Sequence, residues 1–330
     1  MAFSGEGNAM ILAKDVQNSI PRVRVSLNRV GVTGLTKIIS IGSGERCNLF
    51  YSEMDLYVDL HPDRTGVHMS RFGEEIIAAV DEVVKKRALD IETFTSGLAA
   101  AVLERQQALR SEVLVRAKYP VEKKTPVSRL ATQDICTLIG MAAAREGRVR
   151  VLVGVEVAGL TACPCAQEMV RAYTGEELLK AGFTKEQVEK VLAVVPLASH
   201  NQRGKGTLLL GTKEKIEAQD LVAIVEESMS SPIYDVLKRP DEFQVIKDAH
   251  QRPRFVEDVV RHMVEQVVER YPNLEDEAFL LAKQVNYEGI HSYDVFAEKQ
   301  GTLDEIRREV LQGEHVTRHT DLAAWLDPWD

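Results

Sequence analysis

The chain has 330 residues, 45% of them hydrophobic and 28% charged, with a formal net charge of −9. That length holds one large domain or two ordinary ones, and the balance is that of a globular protein. The acidic excess argues against non-specific nucleic-acid binding as the main task, and four cysteines in 330 residues do not make a disulfide framework, so a cytoplasmic setting is expected.

The opening residues include Glu6, Lys14 and Asp15 and no long apolar run, so no secretory signal is expected. Arg22 to Val32 alternates polar and apolar side chains, which predicts a half-buried strand, and Thr36–Ile41 and Leu49–Leu60 read as further strands. The turn-rich run His61-Pro62-Asp63-Arg64-Thr65-Gly66 follows. Helices are predicted over Ser70–Arg87, where Ile76, Ile77, Val80, Val83 and Val84 recur at helical spacing, and over Asp90–Arg110. Ser111–Tyr119 and Arg148–Val157 read as strands. The longest apolar stretch, Val151–Ala166, is interrupted by Gly154, Glu156 and Gly159 and is too short and too polar to span a bilayer. Ala166–Ala181 and Thr184–Val195 read as helices, the second capped by Thr184. Gly206–Gly211 reads as a short strand, Ala218–Met229 and Phe255–Arg270 as amphipathic helices, and Ala278–Asn286 as a strand. Strands then helices, twice over, predict an α+β protein with antiparallel sheets, its two halves being residues 1–150 and 151–330.

Chemistry concentrates in the second half. Cys163-Pro164-Cys165 follows an apolar strand and precedes a helix; the alternative is a pair of small buried hydrophobes. His200 opens the run Asn201-Gln202-Arg203-Gly204-Lys205-Gly206, whose cations and glycines would let backbone N–H groups approach a phosphate, although the spacing is not that of a Walker A loop. Glu288 and His291 are three apart, which on a helix puts both on one face; a surface pair is the plain alternative. Glu242 and Glu257 have aromatic and basic neighbours, as solvated glutamates often do, and His61, Arg64, His68, Ser70 and Arg71 form a polar cluster in the first half. Thiolate, imidazole and carboxylate together suit a borderline first-row metal such as Zn or Fe(II), and a cationic run beside them suits an anionic substrate.

Several of these motifs, taken in order, resemble the metal-dependent GTP cyclohydrolases of the type IB and type IV group. They are Gly66-x-His68-Met69-Ser70-Arg71-Phe72, Gly159-x-Thr161-x-Cys163-Pro164-Cys165, Ser199-His200-Asn201-Gln202-Arg203, Leu237-Lys238-Arg239-Pro240-Asp241-Glu242, Phe255-Val256-Glu257-Asp258 and Glu288-x-Ile290-His291-Ser292. The resemblance runs from about Asp15 to Glu298. It implies a tunnelling fold: two modules of antiparallel sheet with paired helices, over 1–150 and 151–330, the barrel completed by homo-oligomerisation and the sites lying between subunits. It further implies a metal held by Cys163, His200, Glu242 and His291 with Glu288 close by, Cys163 and His200 as catalytic groups, and Glu257 anchoring the guanine ring of GTP. His68, Arg71, Arg203 and Lys205 are the candidates for the triphosphate. Metal-activated water would attack C8, and a second hydrolysis would release formate. The apparent helical hairpin between Tyr173 and Leu197 is similar to the longer archaeal form, which implies Fe(II), with Zn or Mn(II) as alternatives, and 7,8-dihydroneopterin 2′,3′-cyclic phosphate with diphosphate as products. Tyr293 stands where some relatives carry a histidine. The other readings are a type IB enzyme making dihydroneopterin triphosphate, a nitrile reductase of the same fold, and a non-catalytic nucleotide- or metal-binding protein.

Overall fold

A computed structural model of the chain describes residues 20–41, 48–64, 66, 74, 77–78, 80–82 and 90–327. The fold is α+β with antiparallel strand pairing. Its contacts divide it into two compact units: the described residues up to Arg116 with Gly140–Val151, and Ala117–Ile139 with Leu152 onward.

In the first unit the strand order is β1 (Leu27–Ile41), β2 (Asn48–Leu60), then the unit's portions of β3 (Arg110–Lys124), β4 (Ala131–Arg145) and β5 (Arg148–Ala162). The two strands predicted over Arg22–Val32 and Thr36–Ile41 are one. Register shifts against β2 break its alternation, and Gly34 at φ +68 supplies a left-handed residue that donates its N–H to Asp55 Oδ1 at 2.9 Å. Along β2, Ser52, Met54, Leu56, Val58 and Leu60 are buried while their neighbours are more open, and helix α1 (Ile91–Gln106) packs on this strand. Asp90 caps α1 by accepting from Thr93 N at 2.7 Å, and Phe94, Leu98 and Val102 form its buried stripe. Each such side chain contributes about 1.5–3 kcal/mol. Of the helix predicted over Ser70–Arg87, Glu74, Ile77, Ala78 and Val80–Glu82 are described, and they are helical; the rest of it is outside the described residues.

The second unit places its portions of β3, β4 and β5 beside β6 (Asn201–Gly211), β8 (Phe279–Asn286) and β9 (Val295–Thr302) in that order; the short β7 (Ser231–Pro232) pairs with β5. α2 (Pro164–Lys180) and α3 (Lys185–Val194) form the predicted hairpin, and Thr184 closes a capping box with Gln187. α4 (Ala218–Ser228) and α6 (Val256–Arg270) pack together. Leu221, Val222, Ile224 and Val225 are buried on α4, and Val259, Val260, Met263, Val264, Val267 and Val268 recur on α6 at the i, i+3, i+4 spacing of an amphipathic helix. Three further helices complete the unit: α5 (Arg239–Gln251), α7 (Leu303–Gln312) and α8 (Leu322–Leu326). Among the described residues no helix is long and apolar enough to cross a membrane.

Two buried polar devices hold this unit together. Lys123 is set between Asp134, at 2.6 Å, and Glu226, with the Tyr234 ring 5.8 Å from its ammonium. Burial pulls the Lys123 pKa down, but Glu226 and Asp134 outweigh it and hold the ammonium above its usual value. Asp241, fully buried at the start of α5, accepts from Val127 N at 2.9 Å, Ser128 N at 2.8 Å, Ser128 Oγ at 2.6 Å and Lys238 N at 3.1 Å, so it pins the β3–β4 turn. Burial pushes its carboxyl up, but the Ser128 hydroxyl and the backbone amides prevail and hold it well below the usual carboxylate range. A depressed folded pKa gives stability that is complete above the unfolded value of about 3.9 and is lost as pH falls from there toward the folded value. Asp241→Asn is therefore expected to lower the urea midpoint more at pH 7 than at pH 3. An equal loss at both would remove the carboxylate from the acid response.

Candidate active site

β5 ends at Ala162, and the next residue turns the chain into α2. Cys163 is the N-cap, its sulfur accepting from Ala166 N at 3.4 Å, and Pro164 occupies the first helical turn, where a missing N–H costs nothing. The chain returns after the hairpin to the same point. Cys163 N donates to His200 O at 3.1 Å, and Ser199 Oγ donates to Cys163 O at 2.6 Å. His200 is thus fixed beside Cys163 just before β6 begins. A third segment is docked on the end of β5. Arg254 N donates to Ala162 O at 2.9 Å, and the Arg254 guanidinium donates to Ser228 O at 2.7 Å at the end of α4. That anchors Phe255–Glu257, with Glu257 in the first turn of α6. The fourth segment is the connection between β8 and β9, tied back by Tyr287 N to Arg203 O at 3.0 Å and by Glu288 N to Asp294 Oδ1 at 3.3 Å.

These four segments line a half-open cavity of about 200 Å³ whose walls include Cys163, His200, Gln202, Glu257, Glu288 and His291. His200 Nδ1 and Glu288 Oε2 face each other at 3.7 Å; both atoms are buried, and neither has a hydrogen-bond partner among the described residues. The His200 and His291 rings meet edge to face with centroids 6.4 Å apart, and Tyr293 stacks on His291 at 5.1 Å. Among the described residues no three His, Cys, Asp or Glu side chains already stand close enough together to hold a metal ion. The donor types nonetheless fit one: a sulfur and two imidazoles beside a carboxylate, with two orphaned polar atoms at the edge of the set.

The structure does not gather every residue singled out in the sequence. Glu288 and His291 sit in a loop, not on one face of a helix. Glu242 is exposed on α5 and does not line the cavity; the buried carboxylate of its motif is Asp241. The run Arg203-Gly204-Lys205-Gly206 is not a phosphate-cradling loop but the middle of β6, whose backbone pairs with β5 on one side and β8 on the other. Its glycines make room instead: a Cβ at Gly204 would collide with Gln284 Nε2 and Asn286 Oδ1. Alternation along β6 turns Arg203 and Lys205 to the face away from Gln202. Arg203 lines a separate cavity of about 190 Å³ with Lys123, Asp134 and Glu226, and Lys205 pairs with Glu156 at 3.0 Å. His68 and Arg71 are outside the described residues.

Two side chains that sequence reasoning passed over are Gln202 and Asn286, buried amides that line the cavity. Gln202 was visible only as a letter of its motif, and Asn286 only as the end of a strand. The thiols also separate: Cys165 is exposed, whereas Cys136 is buried, and burial pushes its thiol up to about 12 despite the opposing Lys123 ammonium. Iodoacetamide near neutral pH is expected to label Cys165 in the native protein and Cys136 only after unfolding. Mass mapping of the labelled peptides reads this directly.

The arrangement of strands and helices is similar to that of the solved structure of a hyper-thermostable AgUricase variant, with a TM-score of 0.50 over 92% of this chain and 98% of that one; at 7% identity this is a likeness of fold alone. The sequence is more specific. Residues 13–297 match the family model described as Type I GTP cyclohydrolase folE2, and the chain belongs to that family. It is 42% identical over 304 residues to the GTP cyclohydrolase MptA of Methanosphaera stadtmanae, covering 89% of this chain and 97% of that protein. It is 39% identical to the protein of the same name from Methanothermobacter thermautotrophicus, covering 91% and 97%.

Proposed function

We propose that this enzyme opens the imidazole ring of GTP at C8, releases formate, and yields 7,8-dihydroneopterin 2′,3′-cyclic phosphate and diphosphate, as the first step of methanopterin synthesis. The observation that carries this reading is the convergence of Cys163, His200, Glu257, Glu288 and His291, from separate segments, on one cavity. Cys163, His200 and His291 would hold a divalent metal, Fe(II) in the first instance and Zn or Mn(II) as alternatives, with Glu242 as the remaining candidate ligand and Glu288 behind the His200 imidazole on its Nδ1 side. When bound, such a metal lowers the pKa of a water so that hydroxide is available near neutral pH.

The chain's own groups do the rest. Glu288 Oε2 faces His200 Nδ1 and so favours the tautomer with its proton on Nδ1, leaving the Nε2 lone pair free. Glu257 offers two carboxylate oxygens that match the ring N–H and the exocyclic amine of guanine. A cavity of about 200 Å³ falls below the ~300–1,000 Å³ of typical small-molecule sites, so it suits the base and not the whole nucleotide. The triphosphate would extend beyond it toward His68 and Arg71, supplied by another copy, while Arg203 and Lys205 of the same copy face away from the cavity and could meet it only from a neighbouring subunit. That is the reason to expect a homo-oligomer of the tunnelling fold, with its barrel completed by further subunits; the low cysteine count suits the cytoplasm.

Glu257→Gln opposes an amide N–H₂ to a guanine donor. A charge-assisted hydrogen bond contributes about 1.5–3 kcal/mol, so kcat/KM for GTP is expected to fall ~10–100-fold, mainly through KM. The decisive experiment is anaerobic incubation of the Fe(II)-loaded protein with GTP, resolving products by mass. Cyclic phosphate with diphosphate supports the proposal, dihydroneopterin triphosphate would reassign the product, and absence of formate with Fe(II), Mn(II) and Zn alike would leave a binding protein.

A further inference from the structure

Glu288 is a loop residue with an unusually confined carboxylate. Its backbone N–H donates to Asp294 Oδ1 at 3.3 Å, and it follows the last ladder pair of β8 at Asn286. One side chain ties that carboxylate to the rigid sheet. Gln202 Nε2 donates to Glu288 Oε1 at 3.2 Å. Gln202 itself is held in the β5–β6 ladder opposite Thr161, and it is 7% exposed. With Oε1 engaged by Gln202, Oε2 is left to face His200 Nδ1 at 3.7 Å.

The amide is costly where it is. Gln202 Oε1 is buried without a hydrogen-bond partner among the described residues, an arrangement that carries a desolvation penalty. An apolar side chain of the same length would fill the space without that penalty, so packing does not account for an amide here. The two orphaned atoms it leaves facing each other, His200 Nδ1 and Glu288 Oε2, are the same ones the chemistry needs aligned. Loop-borne groups are held to catalytic tolerance only when a second side chain on a rigid element fixes them.

We infer that Gln202 is a positioning residue for the cyclohydrolase reaction: through Glu288 it sets the orientation of the His200 imidazole. This rests on the reading of the cavity as the reacting site.

The test is Gln202→Met in the full-length protein, which keeps the length and removes the amide. Steady-state formate release from GTP is measured with the Fe(II)-loaded protein, and the metal-free protein is separately titrated with Co(II) while its visible absorption is recorded. Expected is a folded variant whose kcat falls ~10–100-fold with KM for GTP unchanged, and whose Co(II) affinity and absorption band are both altered. Gln202→Asn keeps the amide but withdraws it by one methylene, so it should show the same loss, and it decides the matter if the methionine variant does not fold. A folded variant with wild-type kcat, or with reduced kcat and an unaltered Co(II) spectrum, would overturn the role of Gln202 alone. Wild-type protein that neither takes up Co(II) at the cavity nor makes formate would overturn the underlying reading as well.

Discussion

Cys163→Ala is expected to reduce formate release by more than ~10²-fold, the upper end of what losing a residue behind a metal ligand costs. The fold should survive the change. The bonds that place this residue, Cys163 N to His200 O and Ser199 Oγ to Cys163 O, involve backbone atoms and not the sulfur. What is lost structurally is the sulfur cap on Ala166 N, a weaker contact than an oxygen cap would be. Cys165, exposed two residues away, is the matched control, and Cys165→Ala should retain activity. Paired formate assays and thermal melts separate the outcomes: a folded Cys163→Ala protein with wild-type turnover would remove the sulfur from the chemistry.

Lys123→Met is expected to have the largest effect on stability. The ammonium, Asp134 and Glu226 are 10%, 14% and 15% exposed, so removing the cation strands two carboxylates away from water. Breaking a buried ion pair from one side typically costs about 3–5 kcal/mol, a large share of the ~5–15 kcal/mol that holds a domain folded. Adding Glu226→Gln to Lys123→Met should recover part of the loss, because one uncompensated charge goes with it. Urea midpoints of the single and double variants measure both effects, and a single variant as stable as wild type would mean that water reaches the carboxylates freely.

The contrast between what the sequence disclosed and what it hid is physical. β2 and α6 were legible because each has one face on a core and one toward solvent, and their apolar residues keep the matching period. β4 was not, since its stretch Gly140-Met141-Ala142-Ala143-Ala144 is buried almost without interruption, which hides any alternation, and its methionine and three alanines favour helices. The first half of β6 was mistaken for a loop for a related reason: Gly204 and Gly206 are required by Gln284, Asn286 and Val225, neighbours distant in sequence. In the site, Cys163, His200, Glu257, Glu288 and His291 stood out because their residue types imply chemistry. Gln202 did not, because a glutamine acquires meaning only from the carboxylate it touches.

The bonds that join Cys163 to Ser199 and His200 also have a consequence for how such a protein can change. They close the chain on itself, so Pro164–Ala198 is a detour that leaves and re-enters at one point and is tied down again near its base by Gln167 Nε2, which donates to His250 O at 2.6 Å. Lengthening a closed detour costs entropy only logarithmically, roughly 0.6 kcal/mol for each doubling. The part of the α2–α3 hairpin beyond Gln167 can therefore grow, shrink or be exchanged while sulfur and imidazole keep their spacing, which makes it a place where new surface can be tried without disturbing the reaction.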